Sequence, residues 1–429
     1  MKILFCVEFY FPSIGGAQEV VRQLAERMAK RGHTVGIATS KIPSRAETVI
    51  NNVTIHSFDV SGNFVRGMDG EVHRYREFLY EYDADLLFFY AAQQWTFDAA
   101  WKVLHLISAK KVLVPCGYSG LYDAAYTDYF QKIPSVLAAM DAVIYHADSY
   151  RDIDFSTLHK LNNAAIIPNG ADIDEFDVPL DPKFRSSVGA DESTKILLTV
   201  GTITGMKGHI EIAQAFAKAN FGGQKVLLIL NGNQPGKKGL GLNVIKRFIS
   251  LVHGYGWSYA MRHAIKVMLL LAGFNVGKSH SIEKWILTAQ KESHGNKRAI
   301  VVDLNRTQLI QAFLQADLFV FASNIEYSPL VLFEACAAGL PFLTVPVGNS
   351  VEIVSWTQGG EICDAPQDDK GYTRVQPSVL ALRMEEMLKN ADGLRALSRN
   401  GRQASIMRFN WDNLTSEYEK IFNKLIVTR

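Results

Sequence analysis

Two series of short apolar segments run along the chain, and helical patterns separate the segments from one another. In the first half these segments predict strands at residues 3–7, 34–38, 85–90, 111–115, 142–145 and 164–167. In the second half they predict strands at residues 195–200, 225–230, 299–302, 318–321 and 341–345. Residues 17–30 place apolar side chains at helical spacing, and Gly32 follows as a helix stop. Alternating strands and helices of this kind predict parallel, doubly wound sheets.

Residues 177–193 interrupt this pattern, because they are polar, contain two prolines and show little periodicity. We therefore predict a first domain at residues 1–178 and a second at 179–408. An amphipathic C-terminal helix at 409–429 is expected to pack back on the first domain. Ligands of doubly wound sheets bind at the carboxyl ends of the strands, so two such domains facing each other would form a cleft.

The composition fits a globular protein of two domains: 429 residues, 48% of them hydrophobic, with a net charge of +2. The four cysteines are scattered without metal-like pairing, which suits a reducing compartment. The start of the chain does not resemble a secretory signal, and no apolar run is long enough to span a bilayer. We expect a cytoplasmic protein, with peripheral association with the inner face of the cell membrane as a further expectation.

Two glutamates eight positions apart, Glu326 and Glu334, flank a predicted helix start. Ser328 is the predicted N-cap and Pro329 the predicted first helical residue, since proline lacks the N–H group that would have no partner there. A helix start offers N–H groups to a phosphate, and carboxylates on either side can accept hydrogen bonds from sugar hydroxyls. The alternative is that both glutamates are ordinary surface acids.

Two glycine-containing loops also follow predicted strands. Gly15 and Gly16 would let a phosphate approach the backbone at a helix start, although a tight turn without a ligand is an equal alternative. The spaced GxGxxG of nicotinamide-binding proteins is absent there. Lys207 could neutralise a diphosphate leaving group, or it could be a solvated loop lysine. The GxxxxGK[ST] spacing of a Walker loop is absent.

Together these segments resemble the retaining glycosyltransferases of family 4, which have the GT-B fold. The resemblance is carried by YFPSIGGAQ, IPNGADIDEF, VGTITGMKGH and EYSPLVLFEACAAGLP, and it covers nearly the whole chain. The spacing of Glu326 and Glu334 matches the paired-glutamate motif of that family. The resemblance implies an α/β protein with two Rossmann-like domains facing a cleft, and a nucleotide-sugar donor.

Carried over position by position, the resemblance assigns Lys207 to the donor phosphates, Glu326 to the donor sugar and Glu334 to the ribose. The other donor-binding positions that it implies are Gly15, Gly16, Thr202, Ser328, Pro329, Leu330 and Val331. Enzymes of this family need no metal or other cofactor. They are thought to retain configuration by a same-face substitution in which the departing phosphate helps to deprotonate the acceptor hydroxyl.

Two positions depart from the family pattern. Thr202 stands where the family usually has an arginine, five positions before the lysine. Cys116, followed by Gly117, stands where the family often has a histidine near the reacting carbon. We place Cys116 and Gly117 on the acceptor side of the cleft, together with Asn169 of the Asn-Gly turn. Because of the two departures, catalysis is expected to be weaker than in other members of the family.

We expect an insertion at about residues 234–297. It contains a basic segment, because the chain has no acidic residue between Glu211 and Glu283. Apolar residues at 245, 248, 249 and 252 share one helical face, which is typical of a helix that lies on an anionic membrane surface. The predicted membrane-contacting residues are Lys246, Arg247, Phe248, Trp257, Arg262 and Lys266. The alternative is a packed helical pair with a solvated basic face. Nucleic acid is not an expected partner, because it would leave the large aliphatic run without a role.

The sequence therefore predicts a retaining, metal-independent hexosyltransferase that moves a sugar from a nucleotide-sugar to a glycan or lipid-linked acceptor. Assembly of surface polysaccharide, lipopolysaccharide or another glycolipid is the expected setting. Two alternatives stay open. One is a nucleotide-sugar epimerase or sugar-phosphate synthase on the same fold. The other is a catalytically weak subunit that binds sugar nucleotides.

Overall fold

The computed structural model describes residues 1–232, 279–369 and 371–427. Most of the predicted basic insertion lies outside the described residues, and so do all six predicted membrane-contacting residues, namely Lys246, Arg247, Phe248, Trp257, Arg262 and Lys266. The chain forms two compact units. We call Met1–Ile173, Tyr327–Phe333 and Ser405–Arg429 the N-terminal unit, and Asp174–Glu326 and Glu334–Ala404 the C-terminal unit.

The N-terminal unit contains an eight-stranded sheet in the order β10-β9-β8-β7-β1-β2-β4-β3, counted over the described residues. Its strands are β1 (Lys2–Cys6), β2 (Thr34–Ser40), β3 (Val49–Ile50), β4 (Val53–Phe58), β7 (Leu86–Tyr90), β8 (Lys110–Val114), β9 (Ala142–Tyr145) and β10 (Ala164–Ile166). All neighbours are parallel except β3 and β4. A separate antiparallel ribbon is formed by β5 (Val60–Asn63) and β6 (Gly67–Gly70).

Helices pack against this sheet and contribute to the hydrophobic core of the unit. They are α1 (Gly16–Lys30), α2 (Val72–Glu81), α3 (Trp95–Ala100), α4 (Thr127–Ala138), α5 (Arg151–Leu158) and the C-terminal α14 (Trp411–Val427). The C-terminal helix packs on β7, since the rings of Tyr418 and Phe422 each lie 5.8 Å from the ring of Phe88. Glu419 fixes the same helix to the end of α1 by accepting hydrogen bonds from Arg31 and His33 at 2.9 and 2.7 Å.

The C-terminal unit contains a parallel sheet in the order β13-β12-β11-β14-β15-β16, again counted over the described residues. Its strands are β11 (Lys195–Val200), β12 (Val226–Asn231), β13 (Lys297–Val302), β14 (Leu318–Phe321), β15 (Phe342–Thr344) and β16 (Gly360–Ile362). Numbered within the unit, this order is the 3-2-1-4-5-6 of dinucleotide-binding sheets. Such sheets bind ligands where the strand order reverses, which here is between β11 and β14.

The remaining helices of the described residues precede, separate or follow these strands. They are α6 (Phe184–Ser187), α7 (His209–Lys218), α8 (Ser279–Glu292), α9 (Arg306–Gln315), α10 (Leu330–Ala337), α11 (Ser350–Thr357), α12 (Pro377–Lys389) and α13 (Ala391–Met407). Short 3₁₀ turns occur at Leu104–Leu106, Ala124–Tyr126 and Asp174–Phe176. Among the described residues, no helix combines the length and the apolar character needed to cross a bilayer.

The predicted parallel sheets are confirmed. The observed bounds of β9, β11 and β14 coincide with the predicted strands, while the other predicted strands differ by one or two residues at their ends. The strands β3 to β6 and β16 were not predicted. The cysteines Cys6, Cys116, Cys336 and Cys363 are all free thiols.

Candidate functional site

The loop that carries Lys207 joins β11 to α7, on one side of the point where the strand order reverses. Met206 holds this loop in place, because its carbonyl oxygen accepts hydrogen bonds from Asn324 N at 2.8 Å and from Ser323 Oγ at 3.1 Å. Asn324 and Ser323 belong to the loop that follows β14, on the other side of the reversal. The two loops that emerge at the reversal are therefore bonded to each other.

Lys207 and Glu326 form an ion pair at this place. Lys207 Nζ lies 2.5 Å from Glu326 Oε1, and the two side chains are 32% and 16% exposed. The structure thus brings together two residues that the sequence placed in one site. An ammonium group beside the start of α7 favours a bound anion, and the adjacent carboxylate can accept hydrogen bonds from hydroxyl groups.

Glu334, the second glutamate of the pair, lies on α10 and contacts an arginine that was not predicted. Arg306 Nη1 lies 2.6 Å from Glu334 Oε1, and Arg306 Nε donates to Glu175 Oε2 at 3.0 Å. Burial by itself would lower the pKa of Arg306, but the charges of Glu334 and Glu175 outweigh it and raise that pKa above its ordinary value. Glu334 is therefore held by a permanently charged partner.

Thr202 lies exposed in the loop after β11, where its carbonyl oxygen accepts a hydrogen bond from Thr204 N at 2.8 Å. It supplies no charge, as the sequence indicated. A guanidinium group reaches the neighbouring loop from another segment: Arg374 donates to Asn324 Oδ1 at 2.9 Å and pairs with Asp368 at 2.9 Å. Arg374 was not predicted, since it lies far from either loop along the chain.

The predicted cap of α10 is wrong. The helix begins at Leu330 rather than at Pro329, and Leu332 N donates to Pro329 O at 3.2 Å in a tight turn. Ser328 lies one residue too early to cap this helix. Its Oγ is buried without a hydrogen-bond partner among the described residues.

Several predicted donor-binding and acceptor-side residues meet within the N-terminal unit. Gly16 is the first residue of α1, and a β-carbon there would lie 3.9 Å from Leu330 Cδ1. Asn169 Nδ2 donates to Ser328 O at 3.2 Å. Gly15 has extended backbone, and Val331 is half-buried in the first turn of α10.

Gly117 belongs to a buried network around Tyr327 that the sequence did not reveal. A β-carbon at Gly117 would lie 2.9 Å from the ring of Tyr327. The Tyr327 hydroxyl accepts from His146 N at 2.9 Å and donates to Asp152, which also accepts from Gly117 N at 2.9 Å. Burial raises the pKa of Asp152 to about 6, although the bond from Tyr327 opposes that shift.

Cys116 does not supply the basic group that the family often has near this position. Burial raises the pKa of its thiol far above the ordinary value, so the thiol stays protonated at neutral pH. The network around Tyr327 also contains a buried histidine, His146. Its Nδ1 donates to Ile167 O at 2.8 Å and its Nε2 accepts from Tyr90 at 3.0 Å. Burial lowers the pKa of His146 to about 4, so its ring is uncharged at neutral pH.

Within the described part of the chain, no group of three or more His, Cys, Asp or Glu side chains is arranged to hold a metal ion. Two ion pairs, Lys207–Glu326 and Arg306–Glu334, lie in the loops and helices that follow β11, β13 and β14.

Two models of known protein families match this chain. Residues 14–175 match the model described as Glycosyltransferase Family 4, and residues 257–404 match the model described as Glycosyl transferases group 1. Together the two matches cover more than half of the chain. The chain belongs to the family 4 glycosyltransferases.

Relatives of this glycosyltransferase span its full length. N-acetyl-alpha-D-glucosaminyl L-malate synthase of Bacillus anthracis is 22% identical over 98% of this chain and 97% of its own. Sucrose-phosphate synthase from Thermosynechococcus elongatus superposes with a TM-score of 0.70 at 17% identity, covering 100% of both chains. Anabaena HepE in complex with UDP superposes with a TM-score of 0.68 at 13% identity, covering 99% of this chain and 100% of its own. These likenesses confirm the predicted α/β GT-B fold with Rossmann-like sheets.

Proposed function

We propose that this glycosyltransferase moves a sugar from a nucleoside-diphosphate sugar to an acceptor hydroxyl, with retention of configuration and without a metal ion. The observation that carries the proposal is the ion pair between Lys207 and Glu326 at the reversal of strand order. In this proposal Lys207 contacts the donor phosphates, Glu326 accepts a hydrogen bond from the donor sugar and Glu334 binds the ribose.

Electrostatics supports the role of Lys207. Negative charge develops on the diphosphate as the bond to the sugar breaks, and a fixed ammonium group stabilises that charge. The N-terminus of α7, two residues further on, adds a favourable field for the same anion. The cation and the helix start together offset the charge that a metal ion offsets in other enzymes, which supports the metal-independent reaction.

The proposed reaction exchanges one bond at the anomeric carbon for another. The bond from this carbon to the phosphate oxygen breaks, and a bond to the acceptor oxygen forms on the same face. The acceptor proton passes to the departing phosphate oxygen, so no protein base is needed at the reacting carbon.

UDP-sugars are the first donors to test, because HepE was solved in complex with UDP. UDP-N-acetylglucosamine is among them because the relative from Bacillus anthracis is named for an N-acetylglucosaminyl product. We further propose a glycan or lipid-linked acceptor in surface polysaccharide or glycolipid assembly, supported by the basic and apolar sequence of residues 244–271.

The test is a panel of UDP-, GDP- and ADP-sugars, each incubated with and without acceptor glycans, in buffer with and without EDTA. The proposal expects turnover that depends on the acceptor, is unaffected by EDTA and gives a product with the donor's anomeric configuration by NMR. Conversion of the donor without any acceptor indicates an epimerase. Binding without turnover of any donor indicates a binding subunit. Inversion of configuration contradicts the proposed mechanism.

The acceptor proposal has its own test, flotation with liposomes that contain anionic lipid. The wild-type protein is expected to float, and a variant with Lys246→Glu and Arg247→Glu is expected to stay in the dense fraction. Lys183→Glu serves as the matched control, because Lys183 is an exposed cation of the C-terminal unit outside the basic segment. Equal flotation of all three proteins, or flotation on neutral lipid alone, contradicts an anionic membrane partner.

A further inference from the structure

We infer that Arg306 is a positioning residue that holds the Glu334 carboxylate in place for the ribose hydroxyls of the donor. The inference rests on the proposed function, because that proposal assigns the ribose to Glu334. The sequence pattern did not indicate a role for Arg306; only its contacts in the structure do.

The geometry of the pair leaves the carboxylate able to act. Arg306 Nη1 engages Glu334 Oε1 at 2.6 Å, and the Glu334 side chain is 15% exposed. A carboxylate offers about four lone-pair sites on two oxygens, so pairing with a guanidinium group is compatible with accepting hydrogen bonds from hydroxyl groups as well. A ribose presents two neighbouring hydroxyl donors, which suit a carboxylate of fixed orientation.

Arg306 is itself fixed from three sides. Asn305 and Gln308 form a reciprocal capping box that sets Arg306 as the first residue of α9. Glu175 accepts from Arg306 Nε at 3.0 Å, and the guanidinium group lies 5.7 Å from the ring centroid of Phe176. A guanidinium group held in this way can orient a partner without losing further rotamer freedom when the ligand binds.

Charge matching supports the same assignment. Each glutamate of the pair has its own cation, Lys207 for Glu326 and Arg306 for Glu334. Removal of Arg306 would leave Glu334 and Glu175 without their shared cation, and like charges at short range repel. The Glu334 side chain would then turn away from its present orientation, and the ribose contact would weaken.

The experiment compares binding of a nucleoside diphosphate with binding of its 2′,3′-dideoxy analogue, by calorimetry. The nucleotide is whichever of UDP, GDP and ADP the wild type binds most tightly. A hydrogen bond to a charged group predicts that the wild type prefers the ribose form by about tenfold to a hundredfold. In Glu334→Gln and Arg306→Gln this preference is expected to fall to about threefold or less, while affinity for the dideoxy analogue stays within about twofold.

Arg306→Lys keeps the charge without the fork of the guanidinium group, so it is expected to restore part of the preference. Arg395→Gln is the matched control, since Arg395 pairs with Asp392 on the exposed face of α13 and is expected to leave the preference unchanged. A merely structural role for Arg306 would lower affinity for both nucleotides equally and would leave their ratio intact.

The outcomes separate this inference from the proposed function. A wild type that binds none of the three nucleotides overturns the proposed function first. A wild type that binds a nucleotide without preferring ribose overturns the role of Glu334, and the inference with it. Loss of the preference in Glu334→Gln but not in Arg306→Gln overturns the inference alone. If Arg306→Gln does not fold, Glu175→Gln decides, because it removes the negative charge to which Arg306 Nε donates. A preference equal to that of the wild type then overturns the inference.

Discussion

Gly208 lies against the backbone of Ala322 so closely that a β-carbon on Gly208 would come within 2.0 Å of the Ala322 carbonyl oxygen. Gly208 has a φ of 74°, in the left-handed region that side chains disfavour, and it is the N-cap of α7. Glycine at this position therefore permits two things at once: the turn into the helix and the contact with the end of β14. Both fix the backbone of the adjacent Lys207.

Gly208→Ala is expected to lower the free energy of unfolding by roughly 3 kcal/mol or more, because conformational strain adds to a backbone clash. Gly222→Ala is the matched control, since Gly222 has a φ of 63° but no atom within 4 Å of its would-be β-carbon. That control is expected to cost about 1–2 kcal/mol from strain alone. Urea unfolding of both variants measures the difference, and equal losses would show that the contact with Ala322 is not tight in solution.

Lys207→Ala and Glu326→Gln are each expected to lower turnover by about a hundredfold or more, the typical loss when one group that stabilises developing charge is removed. Lys225→Ala is the control, because Lys225 forms an exposed ion pair with Asp191 in the same unit, at 2.7 Å. That control is expected to retain activity near that of the wild type. The measurement is the initial rate with the best donor and acceptor from the panel. Turnover near the wild-type level in both Lys207 and Glu326 variants would remove the pair from the mechanism.

Tyr327→Phe is expected to lower the free energy of unfolding by about 1–3 kcal/mol, since it leaves the buried Asp152 carboxyl without one of its donors. Asp152→Asn in the Tyr327→Phe background is expected to cost less than it does in the wild type, because the two residues share one hydrogen bond. Urea unfolding of the two single variants and the double variant checks this coupling. Losses that add exactly would contradict the bond between Tyr327 and Asp152.

The regular elements were predictable because a parallel strand covered on both faces is a continuous apolar run. This signal located β9, β11 and β14 with their observed bounds. It failed over residues 49–70, where exposed or half-buried residues separate the buried residues of β4. The antiparallel ribbon β5–β6 is short and rich in glycine, so it carries almost no apolar pattern.

The residues of the candidate site were predictable only where they belong to a local sequence motif. Lys207, Glu326 and Glu334 lie in short segments whose residue types and spacing already indicate phosphate and sugar binding. Arg306 was not predicted because its partner Glu175 lies 131 positions earlier in the chain. Tyr327 was not predicted because its hydroxyl accepts a hydrogen bond from the backbone of His146, 181 positions away. Contacts between segments that are so far apart in the chain depend on the order of the strands in the sheet. That order cannot be read from a single sequence.

Asp98 provides a test of pH dependence within the N-terminal unit. The residue is 2% exposed, and its carboxyl group accepts hydrogen bonds from Phe64 N and from the Tyr129 hydroxyl, both at 2.9 Å. Burial dominates these bonds and raises the pKa of Asp98 from 3.8 to about 7. The folded protein therefore keeps the proton over a range of pH in which the unfolded chain has already lost it.

The sign follows from proton linkage. Between pH 4 and 7 the folded state binds more protons than the unfolded state at Asp98, so this group lowers the stability of the wild type as the pH rises. Asp98→Asn removes that proton exchange. The free energy of unfolding of the wild type minus that of Asp98→Asn is therefore expected to fall by roughly 3 kcal/mol from pH 4 to pH 7, and to stay level above pH 8. Urea unfolding of both proteins across this range measures the difference, in which contributions from all other titrating groups cancel. A difference that is constant with pH, or that grows as the pH rises, would mean that Asp98 is ionised in the folded protein.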